Sequence, residues 1–324
     1  MCLQKFDKAT CFLCAHSLEN LESTEEHVIP RWAQKRYELW DQKLTLLNNT
    51  FIPYRQLTVP CCKECNAYRL QPIELSMGDA VLKGPQAVRK LGWKPLFLWL
   101  GKIFYGILYR ELFLLFNRSA NDGVTIASPE MLKKYEAHVL FLQQARETIE
   151  LVDFCPGSFF IFETQNLRYP QYQWDFCDNI ETMFIAIRMG RVGIIGILQD
   201  GGAQQYCEEG YKDLYDLPLH PIQFRELCAQ FSYRSTLSTR TPKYFTIEGA
   251  PHKTYQLPLG GFSMKPLFEG WDPATYAKIL SMYTGAPYEM IFEPPDKVRT
   301  ILKDDQGRPI YRSFDDYPFF QEPA

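Results

Sequence analysis

The sequence has no internal repeat, no heptad run and no long segment of biased composition. It also lacks a phosphate-binding glycine loop and the serine turn of α/β-hydrolases, which argues against those two enzyme classes. No excess of basic residues marks the chain as a nucleic-acid binder, because its net charge is -3 and its pI is about 6.0. Binding would therefore need a local basic face. The N-terminus turns polar without the apolar core of a secretory leader, so we expect a cytoplasmic, reducing location.

An uninterrupted membrane span is missing as well. The longest apolar segment, residues 96–116, has the length to cross a bilayer, but Lys102, Arg110 and Glu111 interrupt it. Charges at that depth are costly in lipid. Lys102 and Arg110 lie eight residues apart, close to two helical turns, so they would share one polar stripe. We therefore expect a buried or partner-facing amphipathic helix here and no membrane association.

What the chain does contain is a globular composition over 324 residues, with 46% hydrophobic and 23% charged residues. That length allows two domains, or one domain with a small module. The ten cysteines form two sets. Scattered cysteines without a secretory signal are typical of reduced core residues. The scattered set is Cys2, Cys155, Cys177, Cys207 and Cys228, and the clustered set is Cys11, Cys14, Cys61, Cys62 and Cys65.

The clustered cysteines include two Cys-x-x-Cys pairs, Cys11 with Cys14 and Cys62 with Cys65, separated by 47 residues. Two such pairs in one chain are typical of a structural Zn²⁺ site, in which each pair binds the metal from a turn. A disulfide is disfavoured by the expected compartment, and ordinary buried thiols are the other alternative. Cys61 could replace Cys62 as a ligand, although the spacing to Cys65 favours Cys62.

Between the cysteine pairs lies the segment Glu26-His27-Val28-Ile29-Pro30, and Asn66 directly follows the last cysteine. A histidine can accept a proton from water near neutral pH, and a hard divalent cation can stabilise the leaving oxygen of a phosphodiester. The combined pattern resembles the zinc-stapled HNH endonucleases of the ββα-metal (His-Me finger) superfamily. The resemblance covers roughly residues 8–75.

That resemblance implies that His27 is the general base and that Glu26 and Asn66 hold a catalytic Mg²⁺ or Mn²⁺. Asn49, or its neighbour Asn48, stands for the middle asparagine of the family pattern and would act at the site or pin its loop. The family often has aspartate where this chain has Glu26, whose side chain is one methylene longer. The structural alternatives are a strand histidine at position 27 and a helix-start asparagine at position 66.

The most basic segment, residues 83–118, follows this module directly and contains a single acidic residue, Glu111. It could track a phosphate backbone, although a merely solvated basic face is an equal alternative. The residues predicted to contact nucleic acid are Arg89, Lys90, Lys94 and Lys102.

The patterns predict an α+β fold, in which a small zinc-stapled ββα-metal module precedes a larger mixed helix and sheet region. Within the module we expect a short strand at 27–29, a helix over 31–47, a strand at 56–60 and a helix over 63–74. The predicted divisions are the HNH module at 1–78, a basic, mainly helical region at 79–151, and an α+β recognition or partner-binding region at 152–324.

The resulting functional hypothesis is a metal-dependent HNH endonuclease that hydrolyses DNA. Two alternatives stay open: a nuclease acting on RNA, such as tRNA, with the same residues, and a zinc-stapled module that binds nucleic acid or protein without catalysis. Nucleic acid is the expected partner, with DNA favoured over RNA, and a protein partner or regulatory subunit is also expected. By resemblance, a bacterial antiviral defence or toxin-like role is a further expectation.

Overall fold

A computed structural model describes residues 8–119, 123–168, 170–259 and 265–313. Its strands are β1 (Ser23–His27), β2 (Lys43–Thr45), β3 (Phe51–Pro53), β4 (Thr58–Cys62), β5 (Ile149–Leu151), β6 (Ser158–Glu163), β7 (Trp174–Asn179), β8 (Phe184–Met189), β9 (Val192–Ile197), β10 (Tyr244–Ile247), β11 (His252–Gln256), β12 (Phe292–Glu293) and β13 (Lys297–Val298). Its α-helices are α1 (Arg31–Arg36), α2 (Gln71–Lys83), α3 (Pro85–Lys90), α4 (Trp93–Leu112), α5 (Pro129–Lys134), α6 (Glu136–Leu142), α7 (Pro221–Thr236), α8 (Pro273–Thr284) and α9 (Tyr288–Ile291).

The predicted mixture of helix and sheet is confirmed, and the chain forms two compact units. The first unit contains Met1–Leu82, Leu91–Phe154 and Tyr244–Tyr255, and the second contains Lys83–Lys90, Cys155–Lys243 and Gln256–Ala324. The helices of residues 93–142 thus pack in the same unit as the cysteine-rich module. Cys2, one of the scattered cysteines, lies outside the described residues.

The cysteine-rich module contains the antiparallel pair of β1 and β4, in which Glu26 lies opposite Val59 and His27 opposite Thr58. β1 runs over Ser23–His27, so the predicted strand at 27–29 is displaced and His27 is its last residue. A π-helix, Glu64–Leu70, follows β4 and continues directly into α2. The order strand, insert, strand, helix agrees with the expectation for residues 8–75.

The predicted helix over 31–47 is wrong beyond its first two turns. α1 ends at Arg36, and Glu38 adopts a positive φ of 52° that a continuing helix does not allow. The chain then forms the β2–β3 hairpin. The apolar residues of this segment thus lie in a loop and a hairpin, where Tyr37 and Leu39 are buried and Trp40 and Leu47 are exposed.

The apolar segment of residues 96–116 forms most of α4, which is almost entirely buried, including Lys102 and Glu111. A helix that is apolar around its whole circumference is typical of a domain core. The prediction of a buried helix is confirmed, and of the two charges expected to share a polar stripe, Lys102 is buried and Arg110 is half-buried. Over the described ranges, no helix combines the length and apolar character needed to cross a membrane.

The second unit is built on a four-stranded antiparallel sheet with strand order β6-β9-β8-β7. The apolar runs at residues 157–162, 183–187 and 192–198 predict three strands, and the structure has β6, β8 and β9 there, whereas no such run indicates β7. α7 packs against this sheet, and Phe224 lies so close to Gly193 that a Cβ there would approach its ring to 2.4 Å. Glycine at that position therefore lets the helix reach the sheet.

Candidate functional site

Four cysteines in the first unit form a candidate metal centre: Cys11, Cys14, Cys62 and Cys65. Their Sγ atoms all lie within 4.8 Å of one another, and Cys14 Sγ and Cys62 Sγ are 3.9 Å apart. Thiolates about 2.3 Å from a tetrahedral zinc ion would be about 3.8 Å from one another. These cysteines could hold a metal such as zinc, and they join the loop before β1 to the end of β4.

Cys61 is a fifth thiol beside this group. Its Sγ lies 3.8 Å from Cys11 Sγ, and the residue is fully buried. Cys61 is not among the four cysteines whose sulfur atoms all lie within 4.8 Å of one another. The geometry thus favours Cys62 as the ligand and places Cys61 beside the group.

His27 ends β1 directly after the buried Glu26 and is itself half-buried. Its ring lies roughly parallel to that of Trp40, with a centroid separation of 6.3 Å, and Trp40 is 39% exposed. Burial lowers the pKa of His27, and the positive charges of Arg31 and Lys102 lower it further. The imidazole is therefore mainly neutral near pH 7 and able to accept a proton.

Glu26 points to the opposite side of β1, as alternation along a strand requires. It is 5% exposed and forms an ion pair with the ammonium of Lys102 from α4. Lys102 Nζ also lies 2.6 Å from Glu74 Oε1 on α2 and donates to the carbonyl oxygens of His27 and Val28, at 2.7 and 3.2 Å. We call these four oxygen-bearing groups with Lys102 the Lys102 cluster.

Asn66 lies in the π-helix before α2, in a helical distortion that is frequent at functional sites. Its Nδ2 atom donates to Thr24 Oγ1 at 3.0 Å and contacts the carbonyl oxygen of Glu25 at 3.5 Å. The structure therefore joins Asn66 to Thr24 and joins Glu26 to Lys102. The expected pairing of Glu26 with Asn66 around one cation does not appear among these contacts.

Asn49 occupies a turn, with a positive φ of 60°, and its carbonyl oxygen accepts from Arg118 Nη1 at 3.1 Å. Asn48 donates to the carbonyl oxygen of Leu115 at 3.1 Å. Of the two roles considered for the middle asparagine, these contacts match the pinning of the loop.

The four residues predicted to contact nucleic acid differ in their surroundings. Lys90 and Lys94 are exposed. Arg89 is half-buried and donates to Asp216 and to the carbonyl oxygens of Ile161 and Tyr215. For Lys102 the prediction is wrong, because its side chain is 2% exposed and its ammonium is held by internal oxygens. A phosphate backbone cannot reach it.

Sequence reasoning missed Glu74, Trp40 and Arg31. Glu74 follows Asn66 by eight residues on the same helical segment, and this spacing could have indicated it. Lys102 carried a clear signal too, since a charge in the middle of an apolar helix needs a buried partner. That partner could not be identified from the sequence, because His27, whose carbonyl it binds, lies 75 residues away.

No protein-family model matches the chain, and neither does any curated protein or solved structure with which it was compared. The functional interpretation therefore rests on the residues and geometry of the site.

Proposed function

We propose that the cysteine-stapled module of the first unit hydrolyses phosphodiester bonds in DNA, with His27 as the general base. The observation that carries this proposal is the setting of His27. It ends the first strand of a strand–strand–helix unit, is accessible to solvent, has a lowered pKa and lies near the positive charge of Arg31. A neutral base near a positive charge suits a water molecule attacking an anionic phosphate.

In this proposal the imidazole of His27 accepts a proton as the water oxygen attacks phosphorus. The bond from phosphorus to the leaving oxygen then breaks, and that oxygen takes a proton from solvent. Arg31 is exposed and supplies positive charge toward the phosphate. The exposed ring of Trp40 offers an apolar surface beside the base, suited to a nucleobase or sugar.

Zinc at Cys11, Cys14, Cys62 and Cys65 fits the thiol geometry and would supply a cross-link rather than chemistry. A catalytic Mg²⁺ or Mn²⁺ bridging Glu26 and Asn66 fits less well. The Glu26 carboxylate is already paired with an ammonium, and the Asn66 amide donates to Thr24. The roles given above to His27 and Arg31 do not depend on that cation.

The test is cleavage of plasmid DNA, single-stranded DNA and tRNA by the zinc-loaded chain, in Mg²⁺, in Mn²⁺ and without added divalent cation. We expect DNA cleavage that falls about 100- to 10,000-fold in His27→Ala, the usual contribution of a general base. His252→Ala, which changes an exposed histidine of the same unit, should retain full activity.

Equal cleavage by wild type and His27→Ala, with both folded and zinc-loaded, would overturn the catalytic assignment. Cleavage of tRNA alone would redirect the proposal to RNA. Nucleic-acid binding without cleavage under any of the conditions would favour a binding module.

A further inference from the structure

In the Lys102 cluster, oxygen atoms surround a cation, and that cation is the ammonium group of Lys102. The ammonium nitrogen contacts the carboxylates of Glu26 and Glu74 and the backbone oxygens of His27 and Val28. Carboxylate and carbonyl oxygens are also the donors that divalent cations prefer. The oxygens expected to attract Mg²⁺ to Glu26 are thus occupied by Lys102.

The charges in this cluster support a permanent ammonium. Burial disfavours the charged form of Lys102, but the carboxylates of Glu26 and Glu74 outweigh it and raise the pKa above its ordinary value. Among the charged groups near the ammonium, Glu26 comes from β1 and Glu74 from α2, while Lys102 itself comes from α4. A second cation at Glu26 would lie against this ammonium in a dry environment, where like charges repel strongly.

The position of the ammonium also connects it to His27. Two of its hydrogen bonds go to the carbonyl oxygens of His27 and Val28, at the point where β1 ends. The α4 helix lies close to the same point, because a Cβ at Gly106 would come within 2.8 Å of Val28. Lys102 therefore fixes the strand end from which the imidazole projects.

We propose that Lys102 is the resident cation of the Glu26–Glu74 pair and the positioning residue for His27, so that Glu26 binds Lys102 and not a divalent metal ion. The consequence for cleavage rests on the proposed function. The statement about cation binding does not, and it can be tested without nucleic acid.

The test measures Mn²⁺ binding to the zinc-loaded full chain by electron paramagnetic resonance and isothermal titration calorimetry. Wild type and Glu26→Gln should bind Mn²⁺ alike, because Glu26 holds no metal. Lys102→Ala removes the ammonium and leaves a cavity lined by oxygens. We expect it to bind one Mn²⁺ at least about tenfold more tightly than wild type. Adding Glu26→Gln to Lys102→Ala should remove this gain.

The matched control is Lys94→Ala, which removes an exposed lysine near the start of the same helix and should leave Mn²⁺ binding unchanged. The proposal is overturned if wild type binds one Mn²⁺ that Glu26→Gln abolishes. It is also overturned if a folded, zinc-loaded Lys102→Ala gains no site. Should Lys102→Ala fail to fold, the comparison of wild type with Glu26→Gln still decides.

Failure of the proposed function would look different. A chain that cleaves no nucleic acid but behaves as expected in Mn²⁺ binding would keep the Lys102 assignment and remove the nuclease assignment. A chain that cleaves DNA through a Mn²⁺ bound by Glu26 would keep the nuclease assignment and remove the Lys102 assignment.

Discussion

His27 combines partial exposure with a lowered pKa, and these two properties define a pH dependence. Burial, Arg31 and Lys102 each disfavour the imidazolium ion. We expect kcat/KM for DNA cleavage to rise with pH and to reach its plateau with an inflection below 6.5, the ordinary pKa of histidine. The measurement is a pH–rate profile, with DNA incubated without the protein at each pH as the control for DNA integrity.

Arg31→Gln should move that inflection upward, because it removes a neighbouring positive charge, and should also weaken phosphate binding. Lys35→Gln is the matched control, since Lys35 is an exposed cation on the same short helix. An inflection above 6.5 in wild type would contradict the environment described for His27.

The cysteines allow a second prediction, which separates two adjacent thiols. Cys62 belongs to the group of four whose sulfur atoms could surround one metal, whereas Cys61 contacts Cys11 from outside that group. Cys62→Ser should lose stoichiometric zinc and destabilise the module, because a structural metal contributes directly to folding free energy. Cys61→Ser should retain zinc. The measurement is the number of zinc ions per chain by mass spectrometry. Loss of zinc in Cys61→Ser but not in Cys62→Ser would make Cys61 the ligand.

Among single residues, those whose role depends on spacing within a short segment could be predicted from the sequence. Two Cys-x-x-Cys pairs indicated the four-cysteine cluster without any tertiary information. The surroundings of Glu26 depend instead on Lys102, which is distant in the chain and becomes a neighbour only when α4 packs behind β1. A carboxylate next to a histidine therefore indicated a candidate site but could not indicate which cation the carboxylate binds.

Among the helices, α4 depends on a small residue at one contact. Gly106 faces Val28, whose Cγ2 atom would lie 2.8 Å from an added Cβ. Alanine normally favours a helix over glycine by about 1 kcal/mol. Here we expect Gly106→Ala to reduce the free energy of unfolding by about 1–3 kcal/mol, the usual range for overpacking. Urea denaturation measures the change.

Gly210→Ala is the control for that prediction. Gly210 lies in the 3₁₀ helix Ala203–Leu214, and nothing lies within 4 Å of a Cβ added there. This variant should be neutral or slightly more stable. A Gly106→Ala protein as stable as wild type would mean that Val28 yields easily, and the contact between α4 and β1 would then be looser than described.

Elements were predictable where one pattern dominated. The apolar runs of β8 and β9 and the Ser128-Pro129 start of α5, where Ser128 Oγ accepts from the Met131 amide, follow from local rules. The segment after α1 does not. Its chain is held by α4 through the bond from the Leu47 amide to Glu111, and by the segment after α4 through the bond from Asn48 to the Leu115 carbonyl oxygen. Such distant partners override a helical pattern.

The sequence did not indicate β7, because this strand also depends on partners elsewhere in the chain. Its sequence, Trp174–Asn179, mixes aromatic and acidic residues. Asp175 is stabilised by Arg188 on β8 and Arg225 on α7. These cations lie elsewhere in the chain and neutralise a charge that would otherwise disfavour burial, so the residues of β7 alone did not indicate a strand.

Over the whole molecule, buried titratable groups give stability two opposing pH dependences. Burial lowers the pKa of His138 in the first unit to about 4, and burial raises the pKa of Glu226 in the second unit to about 7. A depressed histidine favours the neutral native form, so its contribution is complete above pH 6.5 and is lost as pH falls toward 4. A raised glutamic acid favours the protonated native form, so its contribution is complete below 4.5 and is lost as pH rises through 7.

The alkaline side of this dependence is tested with Glu226→Gln, which cannot ionise. Glu226 accepts hydrogen bonds from the Ile301 amide and from Thr300 and Gln230. Gln keeps the shape but adds a donor, so we expect lower stability at pH 5 and a flatter decline between pH 5 and 8. The loss of unfolding free energy between pH 5 and 8 should be smaller in the variant than in wild type by on the order of 3 kcal/mol. Calorimetry across that range is the measurement.

The acid side is tested with His138→Gln. His138 is fully buried and its Nε2 atom lies 3.0 Å from the Gly101 carbonyl oxygen, a bond that the Gln amide can reproduce as a donor. Between pH 6.5 and 4, we expect the free energy of unfolding of this variant to fall less than that of wild type. Above pH 7, we expect His138 to add no pH dependence to the stability of either protein. Because His138 and Glu226 titrate with opposite signs, the double variant should have the flattest stability profile of the series. An unchanged acid limb in His138→Gln would instead assign acid sensitivity to other groups.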